Sequence, residues 1–246
     1  MTILITGGTG TLGRPTAELL TVAGRDIRVL SRTPGPGRVV GDLSTGAGLT
    51  EALTGVDTVL HLATTASGRD VAQTTLLVDA CQAAGVTHLV YISIVGVDAV
   101  PYPYYRAKLA CERVIESSGI PCTILRATQF HSFLRMFANL SRRLPVILNL
   151  NVPDQPIAVE EVAQRLVELV EAGPSGRVAD IGGPEQLRLR DAIELLQKAE
   201  GTHKPVWTLP LVGRTIRTFK EGRHMPGLPG YGRETFAEYV EREVRR

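Results

Sequence analysis

The sequence predicts an α/β fold built on a doubly wound parallel sheet with helices on both faces. Along the first 130 residues, short apolar runs of strand length alternate with longer runs of helical periodicity. The short runs are almost fully apolar, as in strands of a parallel sheet that is covered on both sides. A glycine-rich turn follows the first run directly. Because crossovers between parallel strands are right-handed, this alternation favours the doubly wound arrangement.

The predicted elements can be placed in order along the chain. From their apolar and β-branched runs, we predict strands at residues 2–6, 26–30, 38–40, 58–62, 88–93, 122–126, 145–151 and 178–181. From their helical spacing, we predict helices at residues 14–23, 49–53, 70–84, 104–118, 131–143, 159–171, 189–199 and 234–245. Two of the helices end where a glycine follows, at Gly85 and Gly119. Beyond residue 130 the alternation of strand and helix patterns becomes less regular. We therefore predict one domain, residues 1–246, with a small irregular substrate region at residues 131–155 and 185–246.

Composition and charge exclude several classes of protein. The 246 residues carry a formal net charge of +2, which does not suit a protein that coats nucleic acid or an anionic membrane. No apolar run approaches the length of a membrane span, and no signal-peptide pattern opens the chain. Three isolated cysteines suit a reducing compartment, so we expect a cytoplasmic protein. We also expect it to be a monomer or a homodimer. The five histidines are scattered singly, and no metal site is predicted.

Residues 6–13 read TGGTGTLG and lie between the first predicted strand and the first predicted helix. Glycine permits the positive φ angle of a tight turn and lets the backbone approach a pyrophosphate closely. Backbone N–H groups at the start of the following helix attract the anion. The turn therefore predicts a Rossmann-type dinucleotide site, with these ligands: Gly7, Thr9, Gly10, Thr11, Leu12 and Gly13. The alternative is a strand–helix turn whose glycines serve packing alone.

The end of the second predicted strand distinguishes between the two nicotinamide dinucleotides. Enzymes that use NAD carry an Asp or Glu there, which accepts hydrogen bonds from the ribose hydroxyls. Here the strand is followed by Ser31 and Arg32. A carboxylate repels a 2′-phosphate, whereas an arginine binds it with paired hydrogen bonds. We therefore predict NADPH or NADP+ rather than NADH, with Arg32 and Ser31 as phosphate ligands. The alternative for Arg32 is an exposed loop arginine.

Two further loops are predicted to contact the cofactor because of their positions after strands. Asp42 and Leu43 follow the third predicted strand, where the chain commonly touches adenine. Ala63 and Thr64 follow the fourth, where the chain usually passes the ribose and the nicotinamide. In a doubly wound sheet all such loops lie at the carboxyl edge of the strands.

Tyr104 and Lys108 form a candidate proton-transfer site with Ser93. The tyrosine and the lysine stand four residues apart on one face of a predicted helix, and Ser93 ends the fifth predicted strand. In carbonyl reduction the tyrosine hydroxyl donates a proton, and the serine hydroxyl orients the substrate oxygen. The lysine ammonium is expected to lower the tyrosine pKa and to bind the nicotinamide ribose. The alternative is surface packing at the same spacing, with Tyr105 as an equivalent neighbour.

The sequence resembles the short-chain dehydrogenase/reductase superfamily, in particular its atypical NmrA-like, NAD(P)H-binding branch. The resemblance covers nearly the whole chain and rests on residues 6–13, 91–97, 104–112, 118–130, 155–163 and 182–184. It implies a Rossmann fold and places Ser93, Tyr104 and Lys108 on the catalytic positions. It also implies that the loop flanking the nicotinamide is formed by Thr128, Gln129 and Phe130. Nearby, we predict substrate contacts at Val95 and His131.

These observations support three hypotheses about function. The first is an NADPH-dependent oxidoreductase that transfers hydride to a carbonyl, quinone, enone or imine carbon of a small organic substrate. Aromatic or quinone-like acceptors follow from analogy with the family. The second is a non-catalytic NADP(H) sensor that reports redox state to a protein partner. The third is an epimerase or dehydratase that uses bound NAD(P) transiently.

Overall fold

A computed structural model describes residues 1–140 and 143–245. Contacts between residues divide the chain into two compact units. The first unit comprises Met1–Ser93, Tyr102–Arg126 and Val159–Ala179, and the second comprises the described residues of Ile94–Pro101, Ala127–Ala158 and Asp180–Arg246. The ranges predicted to bind substrate, residues 131–155 and 185–246, fall in the second unit as far as the structure describes them.

The helices and strands follow one another along both units. The strands are β1 (Thr2–Thr6), β2 (Asp26–Ser31), β3 (Arg38–Val40), β4 (Thr58–His61), β5 (His88–Ile94), β6 (Cys122–Ala127), β7 (Ile147–Asn149), β8 (Pro153–Asp154), β9 (Gly176–Arg177), β10 (Leu187–Arg188) and β11 (Val206–Thr208). The helices are α1 (Gly13–Val22), α2 (Leu49–Leu53), α3 (Arg69–Ala84), α4 (Pro103–Ser117), α5 (His131–Leu140), α6 (Val159–Ala172), α7 (Leu189–Glu200), α8 (Arg214–Lys220) and α9 (Phe236–Val244).

A seven-stranded parallel sheet forms the centre of the first unit, in the order β3-β2-β1-β4-β5-β6-β9. Its central strands are buried except for one partly buried terminal residue in β1 and one in β5, because α1 packs with α6 and α3 packs with α4 around the sheet. Ile3, Leu4 and Ile5 of β1 are fully buried, which accounts for the unbroken apolar run in the sequence. The structure confirms the predicted doubly wound fold.

The direction in which the chain crosses the sheet changes next to β1. From β1 the chain moves through β2 to β3 at one edge, and it then returns to place β4 on the other side of β1. The carboxyl ends of β1 and β4 therefore border the crevice at which doubly wound sheets bind ligands. Residues 7–13 follow β1, and residues 62–64 follow β4. The topology thus places two of the predicted cofactor loops side by side.

The second unit has its own apolar core. Helix α7 packs against α5 and α9, and the core includes Leu134, Ile193 and Phe236. Two small sheets accompany these helices, since β7 pairs with β11 in parallel and β8 pairs with β10 in antiparallel fashion. Strands β8, β10 and β11 and helix α8 are not predicted, because elements of two to seven residues carry too few side chains for a periodic pattern.

The prediction of a strand at residues 178–181 is wrong in its bounds. The ladder with β6 consists of Gly176 and Arg177, and Ile181 makes only an isolated bridge to Ala127. Both ladder residues are exposed at the edge of the sheet, so no apolar pattern marks them. Backbone contacts hold this edge instead, including a 3.0 Å hydrogen bond from Ser175 N to the Thr123 hydroxyl.

Two more predicted elements are longer than the observed ones. The strand predicted at residues 145–151 is reduced to β7, and the helix predicted at 131–143 is observed as α5. Residues 141 and 142 of that helix lie outside the described residues. Among the residues that the structure describes, no helix combines the length and the apolar character that a membrane span requires.

Candidate active site

The glycine-rich turn after β1 is held by close backbone contacts. Gly7 has a φ of 69°, and a Cβ at this position would lie 2.7 Å from the backbone nitrogen of Ala63. A Cβ at Gly13 would clash with the carbonyl oxygen of Gly7. Packing therefore accounts for these two glycines. Gly10 is exposed, and a Cβ there would make one tight contact, with Gly7 O at 3.2 Å. An exposed glycine in this turn lets a ligand approach the backbone closely.

Helix α1 starts directly after this turn and has no side-chain cap, and in its first turn Arg14 N donates to Gly10 O at 3.1 Å. In the described structure, no side chain accepts a hydrogen bond at its N-terminus and no acidic residue lies in its first turn. Its first N–H groups and its dipole are therefore oriented toward the turn, an arrangement that favours a bound anion. Thr9 and Thr11 are exposed beside it, and Leu12 is buried beneath.

Arg32 follows the last residue of β2 and is exposed. Within the described part of the chain its guanidinium makes no hydrogen bond or ion pair, and its charge only contributes to a lowered pKa of Asp42. The main cause of that lowered pKa is the hydrogen bond that Asp42 accepts from Ser44 N, at 2.8 Å. Because Asp42 is held by Ser44, Arg32 remains available to a ligand. Ser31 accepts a 3.2 Å hydrogen bond from Thr33 N, and Leu43 packs in the core.

The loop after β4 is tied to the start of α3. Thr64 Oγ1 donates to the buried carboxylate of Asp70 at 2.6 Å, and Thr65 N donates to the same carboxylate at 2.6 Å. Ala63 is half-buried above the core, whereas Thr64 is exposed. The loop therefore keeps a defined position next to the glycine turn.

Tyr104 and Lys108 occupy one face of α4, as their spacing predicts. Tyr104 Oη lies 3.2 Å from Thr64 Oγ1, which connects α4 to the loop after β4. Lys108 is 3% exposed, and its Nζ donates to Ile92 O at 3.1 Å. The same ammonium lies 4.7 Å from the ring centroid of Tyr91 and 6.0 Å from that of Tyr104.

Burial gives these two groups unusual acidities. It lowers the pKa of Lys108 to about 8, against the opposing effects of nearby Cys111, Asp70 and Glu112. It raises the pKa of Tyr104, and the negative charge of Asp70 adds to this increase. The expectation that Lys108 lowers the tyrosine pKa is therefore not met, because the ammonium lies over the ring and burial dominates.

Ser93 lies near the end of β5, next to the carbonyl that Lys108 binds. Its hydroxyl is buried and has no hydrogen-bond partner among the described residues. A buried hydroxyl without a partner is costly, which fits a group that pairs with a bound ligand. Tyr105, the neighbouring candidate, is buried and packs its ring edge against Tyr102, so the structure separates it from Tyr104.

His61 lies behind this site as a core residue. Its Nδ1 is 2.7 Å from the Thr6 hydroxyl and its Nε2 is 3.1 Å from the Thr74 hydroxyl. The ring also stacks on Tyr91 at 5.3 Å. Burial lowers the pKa of His61 to about 3, so the imidazole is neutral at ordinary pH. Among the described residues, no group of three or more His, Cys, Asp or Glu side chains is placed to hold a metal ion.

The loop predicted to flank the nicotinamide belongs to the second unit. Thr128 donates its hydroxyl proton to Gln155 O at 2.6 Å, and Gln129 O accepts a 2.9 Å hydrogen bond from Ile157 N. Phe130 forms an isolated bridge with Ile157. These contacts give the segment a defined backbone, and its role toward the cofactor stays a prediction.

The two residues predicted to contact the substrate are both buried in the second unit. Val95 is 3% exposed, and its backbone N–H binds Ala127 O at 3.1 Å. His131 is 1% exposed and packs against the rings of Phe236 and Tyr239. This environment is that of a packing residue, and it gives no support to a role of His131 in substrate binding.

One buried acid beside this site, Asp70, is not predicted from the sequence. The sequence shows it only as the acid that begins a predicted helix. The sequence signal is the run of hydroxyl residues before it, Thr64, Thr65 and Ser67, because Ser, Thr and Asp side chains readily form local hydrogen bonds at turns and helix starts. That the acid would be buried beside Tyr104 depends on the packing of α3 against α4, which no local pattern reveals.

A dinucleotide-binding protein of the Rossmann type is defined by three features: the glycine-rich turn after β1, the doubly wound sheet, and the group of Ser93, Tyr104 and Lys108. The chain belongs to the NAD(P)H-binding family, which matches residues 7–172. It is similar to a (4-alkanoyl-5-oxo-2,5-dihydrofuran-3-yl)methyl phosphate reductase of Streptomyces griseus subsp. griseus. The two are 29% identical, and the match covers 98% of this chain and 86% of the relative.

A second relative and a solved structure agree with this classification. Quinone oxidoreductase 2 of Escherichia coli (strain K12) is 27% identical over 81% of this chain and 74% of the relative. The crystal structure of an NADPH-dependent quinone oxidoreductase from E. coli, complexed with NADPH, has the same fold. It gives a TM-score of 0.81 at 23% identity and covers 98% of this chain and 99% of that one. The predicted superfamily, fold and NAD(P)H binding are confirmed, and the predicted class of enzyme is that of these relatives.

Proposed function

We propose that this chain is an NADPH-dependent reductase of a small organic substrate, with a carbonyl, quinone, enone or imine carbon as the hydride acceptor. The observation that carries the proposal is the group around Lys108. A buried ammonium lies over the ring of Tyr104, and the carbonyl that binds it precedes a buried, unpartnered serine hydroxyl. Such a set can bind the hydroxyls of a ribose and protonate a reduced oxygen.

The residues of the first unit fit the cofactor. The exposed Gly10 and the start of α1, which has no side-chain cap, suit a pyrophosphate. The guanidinium of Arg32, which has no partner among the described residues, suits a 2′-phosphate. No carboxylate stands at the end of β2, where one would select NAD. Bound NADPH supplies the hydride.

Ser93 on β5 and Tyr104 and Lys108 on α4 then have separate tasks. Ser93 Oγ donates a hydrogen bond to the acceptor oxygen and so polarises the carbon that receives the hydride. Tyr104 Oη gives its proton to that oxygen as the negative charge develops, and the resulting tyrosinate takes a proton from water. Lys108 binds the ribose hydroxyls and stabilises negative charge on Tyr104 during transfer.

The relatives support a class of substrate to test first. One relative is a reductase of an oxo-dihydrofuran phosphate and another is a quinone oxidoreductase, so quinones and enones are the first acceptors to test. We propose that the second unit binds the substrate and that Val95 contributes to it. We expect a cytoplasmic monomer or homodimer that binds neither nucleic acid nor membrane, in keeping with its net charge of +2.

Replacing Arg32 tests the choice of cofactor. We expect Arg32→Ala to weaken NADPH binding by about 10- to 100-fold, since hydrogen bonds to a charged phosphate contribute about 1.5–3 kcal/mol. NADH binding is expected to change by less than about twofold, because NADH carries no phosphate at that position. Isothermal titration calorimetry with both cofactors measures the two effects.

Arg113→Ala is the matched control, because Arg113 is an exposed arginine on α4, outside the cofactor loops. It removes the same charge and is expected to leave both affinities unchanged. Equal weakening of NADPH and NADH by Arg32→Ala would remove the phosphate assignment.

The pH dependence of kcat/KM is expected to report Lys108. With the pKa of Lys108 lowered to about 8 by burial, the ammonium loses its proton as the pH rises through that value. Tyr104 stays protonated there because its pKa is raised above its ordinary value. We therefore expect kcat/KM for NADPH to fall above about pH 8. In Lys108→Arg, whose side chain stays charged, this fall should move to higher pH. An unchanged profile would assign the fall to another group.

Turnover distinguishes the proposed reductase from the two other hypotheses. The reductase consumes NADPH in proportion to acceptor on a panel of quinones, enones, aldehydes and imines, followed by absorbance. An epimerase or dehydratase converts its substrate without net consumption of NADPH. A sensor binds NADPH and NADP+ with different affinities and turns over none of the panel.

A further inference from the structure

Asp70 is the centre of a buried hydrogen-bond cluster at the start of α3. Its side chain is 4% exposed, and its carboxylate accepts three hydrogen bonds from two threonines. Thr65 donates both its backbone N–H, at 2.6 Å, and its hydroxyl, at 2.5 Å, to Oδ1. Thr64 donates its hydroxyl to Oδ2 at 2.6 Å. An ionised carboxylate only accepts hydrogen bonds, so both hydroxyl protons point at Asp70.

This cluster determines the direction of the next hydrogen bond. The Thr64 hydroxyl has one proton, which is engaged with Asp70, and its oxygen lies 3.2 Å from Tyr104 Oη. A hydrogen bond between the two oxygens therefore requires Tyr104 to be the donor. Hydrogen bonds to a charged acceptor are roughly twice as strong as neutral ones, so Thr64 does not readily exchange Asp70 for the phenol.

We propose that Asp70 is a positioning residue for Tyr104. By holding the proton of Thr64, it makes Thr64 an acceptor. It thereby keeps Tyr104 protonated, with its hydroxyl directed at Thr64 until the substrate oxygen takes the place of Thr64 as the acceptor. The inference rests on the proposed function, because a protonated Tyr104 is the form that reduction needs. Oxidation in the reverse direction needs the tyrosinate as a base, so the chain Tyr104–Thr64–Asp70 favours the reductive half of the chemistry at neutral pH.

The groups that face Tyr104 support this account. Asp70 reaches it from α3, and Cys111 and Lys108 reach it from its own helix. The pKa of Tyr104 is raised, first by burial and also by the charges of Asp70 and Cys111. The hydrogen bond with Thr64 acts in the opposite direction and lowers the pKa, and this effect is exerted by a Thr64 hydroxyl that donates to the phenolate. Such donation would cost Asp70 one of its hydrogen bonds. His61 adds no charge, because its pKa is near 3.

A purely structural role for Asp70 is the competing explanation. The carboxylate also ties the loop after β4 to α3 and is an acid in the first turn of that helix, where it favours the helix dipole. A structural role changes the stability of the protein when Asp70 is replaced, and it leaves the acidity of Tyr104 unchanged. The pKa of Tyr104 is therefore the readout that separates the two explanations.

The experiment is a pH titration of the cofactor-free full chain labelled with ¹³Cζ-tyrosine and followed by NMR. The Tyr104 resonance is the one that disappears in Tyr104→Phe. We expect a lower pKa for Tyr104 in Asp70→Asn than in the wild type, because the charge is removed and Thr64 becomes free to donate. Asp79→Asn, which removes an exposed carboxylate from the same helix, should leave the pKa as it is. An unchanged or increased pKa in Asp70→Asn would overturn the proposal.

Thr64→Val keeps the test decisive if Asp70→Asn fails to fold. Thr64 is exposed, so the substitution is expected to be tolerated. It removes the acceptor that stabilises the protonated phenol, and we expect the pKa of Tyr104 to fall. A rise would mean that Thr64 donates to Tyr104, and it would overturn the proposal. These titrations need neither cofactor nor substrate. A protein that passes them and shows no NADPH turnover contradicts the proposed function alone.

Discussion

Tyr104→Phe is expected to lower kcat with a quinone or carbonyl acceptor by about 10²- to 10⁴-fold, the usual contribution of a general acid. The variant lacks the proton that the reduced oxygen needs, and water must supply it less effectively. The affinity for NADPH should change little, because the phenol belongs to the proton-transfer step and the phosphates bind elsewhere. Stopped-flow absorbance of NADPH and calorimetry measure the two quantities separately.

The control for this substitution is Tyr102→Phe, which removes the same hydroxyl from an exposed ring two residues earlier. Its kcat should equal that of the wild type. If Tyr104→Phe retained full turnover, the proton would have to come from another donor, and the assignment of Tyr104 would be wrong. A loss of NADPH binding in Tyr104→Phe would mean instead that the hydroxyl contributes to binding of the cofactor.

Glu112→Gln is expected to destabilise the fold by about 3–5 kcal/mol, the range found when one partner of a buried ion pair is removed. Glu112 on α4 and Arg126 on β6 form a two-pronged pair, with distances of 2.8 Å and 2.6 Å. The side chains are only 3% and 4% exposed, respectively. Glutamine keeps the size of the side chain but leaves the Arg126 charge buried without its counter-charge. Urea unfolding, followed by circular dichroism, measures the change.

An exposed pair on another helix provides the comparison. Glu194 pairs with Arg190 on α7 at 2.9 Å, and its side chain is 57% exposed. Glu194→Gln removes the same charge, and it should cost less than about 1 kcal/mol because solvent screens such pairs. Similar losses in the two variants would mean that the Glu112 pair contributes little beyond a surface ion pair. Because the buried pair holds α4 against β6, its loss is also expected to loosen Tyr104 and Lys108.

Much of the first unit could be predicted from the sequence, because its signals are local. The buried runs in β1 and β4 carry the apolar pattern of a covered parallel sheet, and the glycines between β1 and α1 have backbone reasons to be there. The spacing of Tyr104 and Lys108 gives the correct helix face without any knowledge of the fold. Each of these features is determined by the sequence of a single strand, turn or helix.

The remaining features depend on contacts between distant parts of the chain. The pKa of Tyr104 depends on Asp70 and on burial, which require α3 and the loop after β4 to be in place. The position of His131 depends on Phe236, more than 100 residues later, whose ring shares its apolar core. The edge strand β9 is made by backbone hydrogen bonds, and Gly176 and Arg177 carry no apolar signal. None of these contacts produces a periodic pattern in the neighbouring sequence.

Calorimetric titration of the purified full chain with NADPH tests the central claim most directly. The claim is that the turn of Gly7, Gly10 and Gly13 and the side chain of Arg32 bind a phosphorylated dinucleotide. We expect saturable heat with NADPH at one site per chain and distinctly weaker binding of NADH. The absence of heat with both NADPH and NADP+, from a protein that unfolds cooperatively, would contradict the assignment of this turn as a cofactor site.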